Sequence, residues 1–440
     1  MARSRGFEWD RRSAQPVQLG GRVSNFLSGV GDLLPMTAMV CRNAFHLPGV
    51  LRRYRALERA TPARAVDPAA MGLAVSFDPA APDLARLRAA WQASGAGTLL
   101  CRVLVWEEAT LEAEMDFIRS FGLPRERVVV AVVQDRASVI DPALWQRRFD
   151  RITAAAAPLA AFIQIGHGSN RKKWGFRTPG EYAAFARRSR TGQSGELRFI
   201  GPGVLDFEPH YLDAILHRTG PDLFDVINTL LYVDRRGMPE RPQGWGRYDL
   251  GGKLRLMRAV ADANGCGARP LWVTEVNWPL CGTGRYAPAG AAVRVSEETC
   301  ADYLARYYLL AFATGIPERI VWWELAAHGY GLIDDRDGAF RLRPGYDAFR
   351  TLARLLPGRV NAGLRRRGDL VAAAFRGPAD TLVAVWSLHG PRRVELARVP
   401  SRVWSARGAE LPPADTLAAG PTPVLCLFEG GLTLEETLAV

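Results

Sequence analysis

From residue 71 onward the chain repeats one pattern: a short run rich in Val, Ile or Leu, a polar loop, and a stretch whose apolar positions recur at helical spacing. The apolar runs are Met71–Phe77, Leu99–Trp106, Val128–Gln134, Ala161–Ile165, Leu197–Leu205, Phe224–Tyr232, Pro270–Val276 and Arg319–Leu325. Between them lie the amphipathic segments Asp83–Ala93, Leu111–Phe121, Pro142–Ala155, Gly180–Arg190, Tyr211–Arg218, Leu250–Asn264 and Glu297–Thr314, and Tyr346–Leu356 follows the last run. Strands this continuously apolar are buried on both faces, which, alternating with helices, predicts a parallel sheet covered on its outer side. Eight units between residues 71 and 356 suit a closed barrel, whose usual size is about 250 residues. An open doubly wound sheet is the competing layout, but no Gly-x-Gly-x-x-Gly follows the first run.

After Pro357 the texture changes to the short β-prone runs Asp369–Phe375, Thr381–Leu388, Arg393–Leu396 and Val424–Glu429, separated by Gly, Pro and Arg turns. This reads as a small antiparallel sandwich. Residues 1–70 hold one helical stretch, Val50–Ala60, and otherwise little periodicity. The expected architecture is therefore α/β: an N-terminal extension over 1–70, a (β/α)8 TIM barrel over 71–357 and a C-terminal β-sandwich domain over 358–440.

Composition narrows the classes. Of 440 residues, 48% are apolar and 23% charged, which is ordinary for a folded domain and unlike a disordered chain. The net charge of +12 favours anionic partners. Its arginines, however, fall in short groups such as Arg52-Arg53, Arg187-Arg188 and Arg365-Arg366-Arg367, and no nucleic-acid motif accompanies them, so nucleic acid is not expected as a partner. The six cysteines form no Cys-x-x-Cys pair, which argues against structural zinc. Residues Met1–Arg12 are basic, but Phe26–Cys41 carries Asp32 and Pro35 and makes a poor signal peptide. Without a transmembrane run either, the expected location is cytoplasmic.

In a barrel of this kind catalytic groups come from the carboxyl ends of the strands. The seventh run places Glu275 inside Leu271-Trp272-Val273-Thr274-Glu275-Val276, where desolvation costs several kcal/mol unless the carboxylate is paired. A salt bridge to a barrel arginine such as Arg102 is the structural reading of the same residue. Thr274-Glu275-Val276-Asn277-Trp278, the pair Trp322-Trp323 and Pro344-Gly345-Tyr346-Asp347-Ala348-Phe349 resemble retaining glycoside hydrolases of clan A, over roughly residues 71–356. The resemblance implies that Glu275 is the nucleophile that forms a glycosyl-enzyme intermediate. It also implies an Asn-Glu acid/base pair after the fourth strand, where this chain has His167-Gly168, and a histidine before the sixth-strand tyrosine, where it has Leu231 before Tyr232.

Three replacements for the acid are open. Glu324 lies in an apolar strand that can raise its pKa and, by regular alternation, shares a face with Trp322. His167 occupies the vacated position and titrates near neutrality when unperturbed. Asp206 and Glu208 close the fifth run, with capping of the next helix as their alternative role. Trp106, Trp174, Trp245, Trp278, Trp322 and Trp323 fall at or after strand ends and can form a stacking platform for sugar rings, or simply pack. The loop Asn170-Arg171-Lys172-Lys173-Trp174 adds cations suited to an anionic glycan. Expected substrate-binding residues are Trp174, Asn170, Tyr232, Trp278, Trp323 and Arg102, with Glu275, Glu324 and His167 catalytic. No cofactor is expected. A metal site built from His167, His210, His328 and Asp78 lacks any close ligand pair. Two functions follow: a glycosidase or transglycosidase with a non-standard acid, or a catalytically inactive sugar-binding barrel.

Overall fold

A computed structural model of the chain describes residues 7–11, 13–17, 22–78, 83–193, 195–233, 236–242, 247–287, 291–338 and 340–438. A two-residue hairpin pair, β1 (Trp9–Asp10) and β2 (Gln15–Pro16), precedes a long helix, α1 (Arg22–Arg59). Eight parallel strands then close into a barrel: β3 (Met71–Val75), β4 (Thr98–Leu104), β5 (Val128–Val133), β6 (Phe162–Ile165), β7 (Arg198–Leu205), β8 (Val226–Leu230), β9 (Leu271–Val276) and β10 (Pro317–Trp322). Strand β10 completes the ring by pairing with β3, Ile320 opposite Met71. Eight runs, eight strands and a closed ring agree with the reading of the sequence.

The continuous apolar runs have a direct cause. Along β5, Val129 and Ala131 enter the cluster that fills the barrel, with Leu100, Phe162, Ile200 and Trp272, while Val128, Val130 and Val132 face the surrounding helices. Those helices are α2 (Leu84–Ala93), α3 (Leu111–Arg119), α4 (Arg136–Ile140), α5 (Pro142–Ala156), α6 (Pro179–Arg190), α7 (Pro209–Thr219), α8 (Leu250–Ala263) and α9 (Glu297–Ala313), with α10 (Pro344–Leu355) after the last barrel strand. Several are started by side-chain caps that stop the preceding loop. Asp141 accepts from the Ala143 and Leu144 amides, and Asp249 from Gly252. Above the apolar filling lies a polar layer in which Asn228 Nδ2 donates to Gln164 Oε1 (3.0 Å) and Thr274 Oγ1 (2.7 Å), and Asn228 Oδ1 accepts from the Gly203 amide (2.7 Å). Because each member is satisfied, the layer is tolerated and forms a firm floor for the mouth.

Beyond the barrel, strands β11 (Ile333–Asp334) and β12 (Arg341–Leu342) pair in a loop, and the C-terminal region is antiparallel. Its larger sheet combines β13 (Val360–Arg367), β14 (Leu370–Arg376), β15 (Asp380–Ser387), β17 (Arg402–Ser405), β18 (Glu410–Leu411) and β20 (Val424–Glu429). A second sheet of β16 (Arg392–Glu395) and β19 (Thr416–Ala419) contributes Val394 and Leu417 to the core shared with Val383 and Cys426, a sandwich arrangement. Against α9 it is tied by Arg306, which donates to the Pro421 carbonyl (2.8 Å) and the Ser387 carbonyl (3.2 Å).

One helix departs from expectation. The stretch Val50–Ala60 overlaps only the last quarter of α1, which runs from Arg22 to Arg59 and contains Pro35 and Pro48. Its periodicity is obscured because its inward face mixes the buried Met39, Val50 and Tyr54 with polar side chains: Asn43 Nδ2 donates to the His210 carbonyl (2.9 Å), and His46 Nδ1 lies 2.7 Å from Asp213 Oδ1.

Candidate active site

The carboxyl ends of the strands converge on two buried glutamates. Glu275, from β9, is 6% exposed and lines a cavity of about 210 Å³ with Arg102, Tyr232, Arg236, Lys173 and Asp206. The Arg102 guanidinium forms an ion pair with one carboxylate oxygen, and the Tyr232 hydroxyl donates to the other. Behind Tyr232 the Arg236 guanidinium stacks 3.4 Å from the ring centroid and donates to Asn277 Oδ1 (2.9 Å). Burial pushes the Glu275 carboxyl up, and the Arg102 charge pulls it back. The salt bridge read as the structural alternative thus exists, but the carboxylate it holds also borders open space.

Glu324 follows β10 and is 3% exposed. Its hydrogen bond comes from Ser76 Oγ (2.6 Å), and burial raises its pKa to about 8. It lines a second cavity, of about 430 Å³, with Ser76, Asp78, Glu107, Glu114, Asp335 and Arg336 among others. Regular alternation would have set Glu324 beside Trp322. Instead Trp323 borders both cavities, while Trp322 is turned into the helix-facing core. Ala14, Arg102 and Tyr330 also border both.

The divider between the cavities is partly made by the β1–β2 arm, which lies over the mouth. The Ala14 carbonyl accepts from Arg102 (3.3 Å), the Ser13 carbonyl from the Tyr330 hydroxyl (3.1 Å), and Gln15 Oε1 from Lys173 Nζ (2.7 Å). Trp9 meets Trp106 and Trp174 edge-on at 5.4 Å and 5.8 Å. Sequence reading left this segment without a role. Its signal was the alternating aromatic pair Phe7 and Trp9 in an otherwise polar stretch.

Several expected site residues are placed differently. Trp278 is 0% exposed and stacked on Trp322 with centroids 5.9 Å apart, so neither ring offers a face to a sugar. Trp323 keeps little free face, because the Arg102 guanidinium sits 3.3 Å from its centroid. Asn170 serves the loop: its amide donates to Glu208 Oε2 (2.8 Å) and the Leu205 carbonyl (2.9 Å). Glu208 does not cap α7 with its side chain. It and Asp206 instead hold Arg171. Trp245 lies outside the described residues.

His167 stands 3.3 Å from Glu275 Oε2 and 3.1 Å from Arg102, yet burial and the Arg102 charge hold its pKa well below the usual range. A neutral, enclosed imidazole is a poor proton donor near neutrality, which speaks against the expected role of His167 as the acid. At the neighbouring Gly168, a Cβ would fall 2.5 Å from the Trp174 ring, so this loop cannot carry an acidic side chain there while Trp174 stays put. Of the expected set, Arg102, Tyr232, Trp174, Trp323 and Glu275 come together around one cavity, and Lys173, Arg236, Asp206 and Tyr330 join them. Among the described residues no group of three or more His, Cys, Asp or Glu side chains is gathered as a metal site.

The fold is a (β/α)8 barrel with an appended β-sandwich. No protein-family model matches the sequence, and no curated protein matches it. Among solved structures, the chain is similar to a family 39 glycoside hydrolase from the gut symbiont Bacteroides cellulosilyticus WH2, with a TM-score of 0.66 and 14% identity over 83% of this chain and 81% of that one. It is also similar to a GH30 endoxylanase from Clostridium papyrosolvens C71 (TM-score 0.57, 11% identity, 84% of this chain and 98% of that one). A family 51 α-L-arabinofuranosidase from Bifidobacterium longum gives a TM-score of 0.56 at 13% identity, over 84% of this chain and 97% of that one. At such identities the likeness is one of fold.

Proposed function

We propose that the protein is a glycosidase or transglycosidase in which Glu275 attacks the anomeric carbon and Glu324 protonates the departing oxygen. The observation that carries this reading is the state of Glu275: a strand-end carboxylate oriented by Arg102 and Tyr232 that nevertheless faces a cavity. A glutamate kept only for packing would be enclosed, and two polar partners aimed at separate oxygens are what a nucleophile needs to hold its attacking lone pair in place. Glu324, with its pKa near 8, is protonated at neutral pH and so suits the acid. In this reading the substrate spans the two cavities across the wall that Trp323, Arg102 and Ala14 share.

The substrate in this reading carries a negative group. Lys173 reaches the Glu275 cavity and is held there by an uncharged partner, the Gln15 side-chain carbonyl, which a carboxylate or sulfate on a sugar would displace. A second reading, a sugar-binding barrel without hydrolysis, is favoured by one observation, the Trp174 ring that fills the space beside Gly168.

Activated aryl glycosides, whose leaving groups need no protonation, separate the two. Under the enzymatic reading they turn over far faster than natural linkages, and Glu275→Gln loses at least about a thousandfold in rate, comparable to removing a principal catalytic group. Identical traces for wild type and Glu275→Gln, with oligosaccharide binding intact by calorimetry, would leave the binding barrel.

A further inference from the structure

The outer face of α1 reverses the usual arrangement of a surface helix. From Leu33 to Pro48 the exposed positions are Leu33, Leu34, Pro35, Thr37, Ala38, Val40, Cys41, Ala44, Phe45, Leu47 and Pro48, without a charge among them. At 3.6 residues per turn these, Pro35 apart, fall on about half of the helix circumference, along roughly 24 Å of axis. The polar side chains of the same stretch, Arg42, Asn43 and His46, turn inward onto α7. Leu34 is 82% exposed and Phe45 89%, and five of the ten exposed large apolar side chains among the described residues fall within Leu33–Leu47. Scattered apolar residues on a surface need no explanation, but a contiguous stripe does.

The stripe runs directly into positive charge. Arg52, Arg55 and Arg59 are exposed, lie on the same half of the circumference about one to three turns further on, and carry no ion pair among the described residues. The one acid of the segment, Glu58, stands one turn on from Tyr54 and helps to raise its pKa. No described helix, α1 included, is long and apolar enough to cross a membrane.

We propose that this face of α1 lies in the plane of a lipid bilayer, with Leu33–Leu47 entering the acyl boundary and Arg52, Arg55 and Arg59 meeting anionic headgroups. An apolar stripe that ends in arginines matches the two chemistries of that boundary, where buried apolar area and attraction to anionic lipid act together. A second copy of the chain fits less well. Antiparallel helices would set these arginines on the partner's apolar stripe, and parallel helices would set them against each other.

The test uses the full chain in cosedimentation with vesicles of phosphatidylcholine alone and of phosphatidylcholine mixed with phosphatidylglycerol. Binding to the anionic vesicles is expected, weakened by salt. A Leu34→Asp/Phe45→Asp variant and an Arg52→Glu/Arg55→Glu/Arg59→Glu variant should each lower the vesicle partition coefficient at least about tenfold. All these side chains are exposed, so unchanged thermal unfolding verifies the fold. Wild type that stays in solution with both vesicle types overturns the proposal. So does equal binding to both compositions by wild type and the arginine variant, or light scattering that shows a dimer split by Phe45→Asp.

Discussion

Glu275 and Glu324 close adjacent strands of one barrel and are buried to nearly the same depth, yet their surroundings are opposite. Glu275 has a guanidinium on one oxygen and a tyrosine hydroxyl on the other. Glu324 has a serine hydroxyl, and its compartment gathers further carboxyls in Asp78, Glu107, Glu114 and Asp335. Depth alone raises the pKa of both. What separates them is the partner, since only Glu275 has a cation in contact to offset the lost water. One fold position repeated on neighbouring strands can therefore place two buried carboxyls in unlike surroundings, one facing a cation and the other a hydroxyl.

The comparison breaks most visibly at Arg102. Arg102→Ala leaves Glu275 as a buried charge without its counter-ion, and urea unfolding at neutral pH should show a loss of about 3–5 kcal/mol. A loss under about 1 kcal/mol would mean that the ion pair is not what distinguishes the two glutamates.

Glu324→Gln sharpens the other half through its pH dependence. A carboxyl whose pKa is about 8 when folded and near its ordinary value of about 4.3 when unfolded binds more protons in the folded state. Stability then falls as pH rises between those two values and levels off above the folded one. The wild type should lose a few kcal/mol over that window, at about 1.4 kcal/mol per pH unit before relaxation. Part of this loss belongs to Glu114, whose pKa is also raised to about 8 by burial. Glu324→Gln should match wild type at pH near 4 and exceed it near pH 9. Parallel curves for the two proteins would place the titration elsewhere.

The smallest effect is expected at the divider. Trp9→Ala removes two edge-on ring contacts, each worth about 0.5–1.5 kcal/mol beyond burial, from an arm that contributes little to the core. Global stability should change by about 1 kcal/mol or less, while amide exchange in residues 13–17 accelerates. Unchanged exchange would show that the backbone bonds to Arg102 and Tyr330 hold the arm without the ring.

The barrel was readable because each of its strands buries both faces, and nothing but a covered parallel strand writes a run such as Val128–Val133 between helical segments. Glu275 was readable for the same reason, as a carboxylate where such a strand tolerates none. The tryptophans were not. Trp174 and Trp278 both follow strand ends, and only the fold turns the first toward a cavity and the second onto Trp322. The arm was hidden because its bonds to Arg102 and Tyr330 are made by the backbone carbonyls of Ala14 and Ser13, which any residue supplies. The helix α1 was hidden because apolar side chains stand on both its buried face, at Met39, Val50 and Tyr54, and its exposed one, at Leu33–Leu47, which blurs the single stripe a pattern search expects.

The contact between Gly168 and the Trp174 ring bears on how this pocket can change over generations. A carboxylate at 168 alone would collide with the indole, and a small residue at 174 alone would leave a void beside His167, whose ring packs 4.2 Å from Trp174. Each single step is a loss, and only the pair is viable. Two positions six residues apart are thus coupled: an acidic side chain at 168 fits this loop only together with a smaller one at 174.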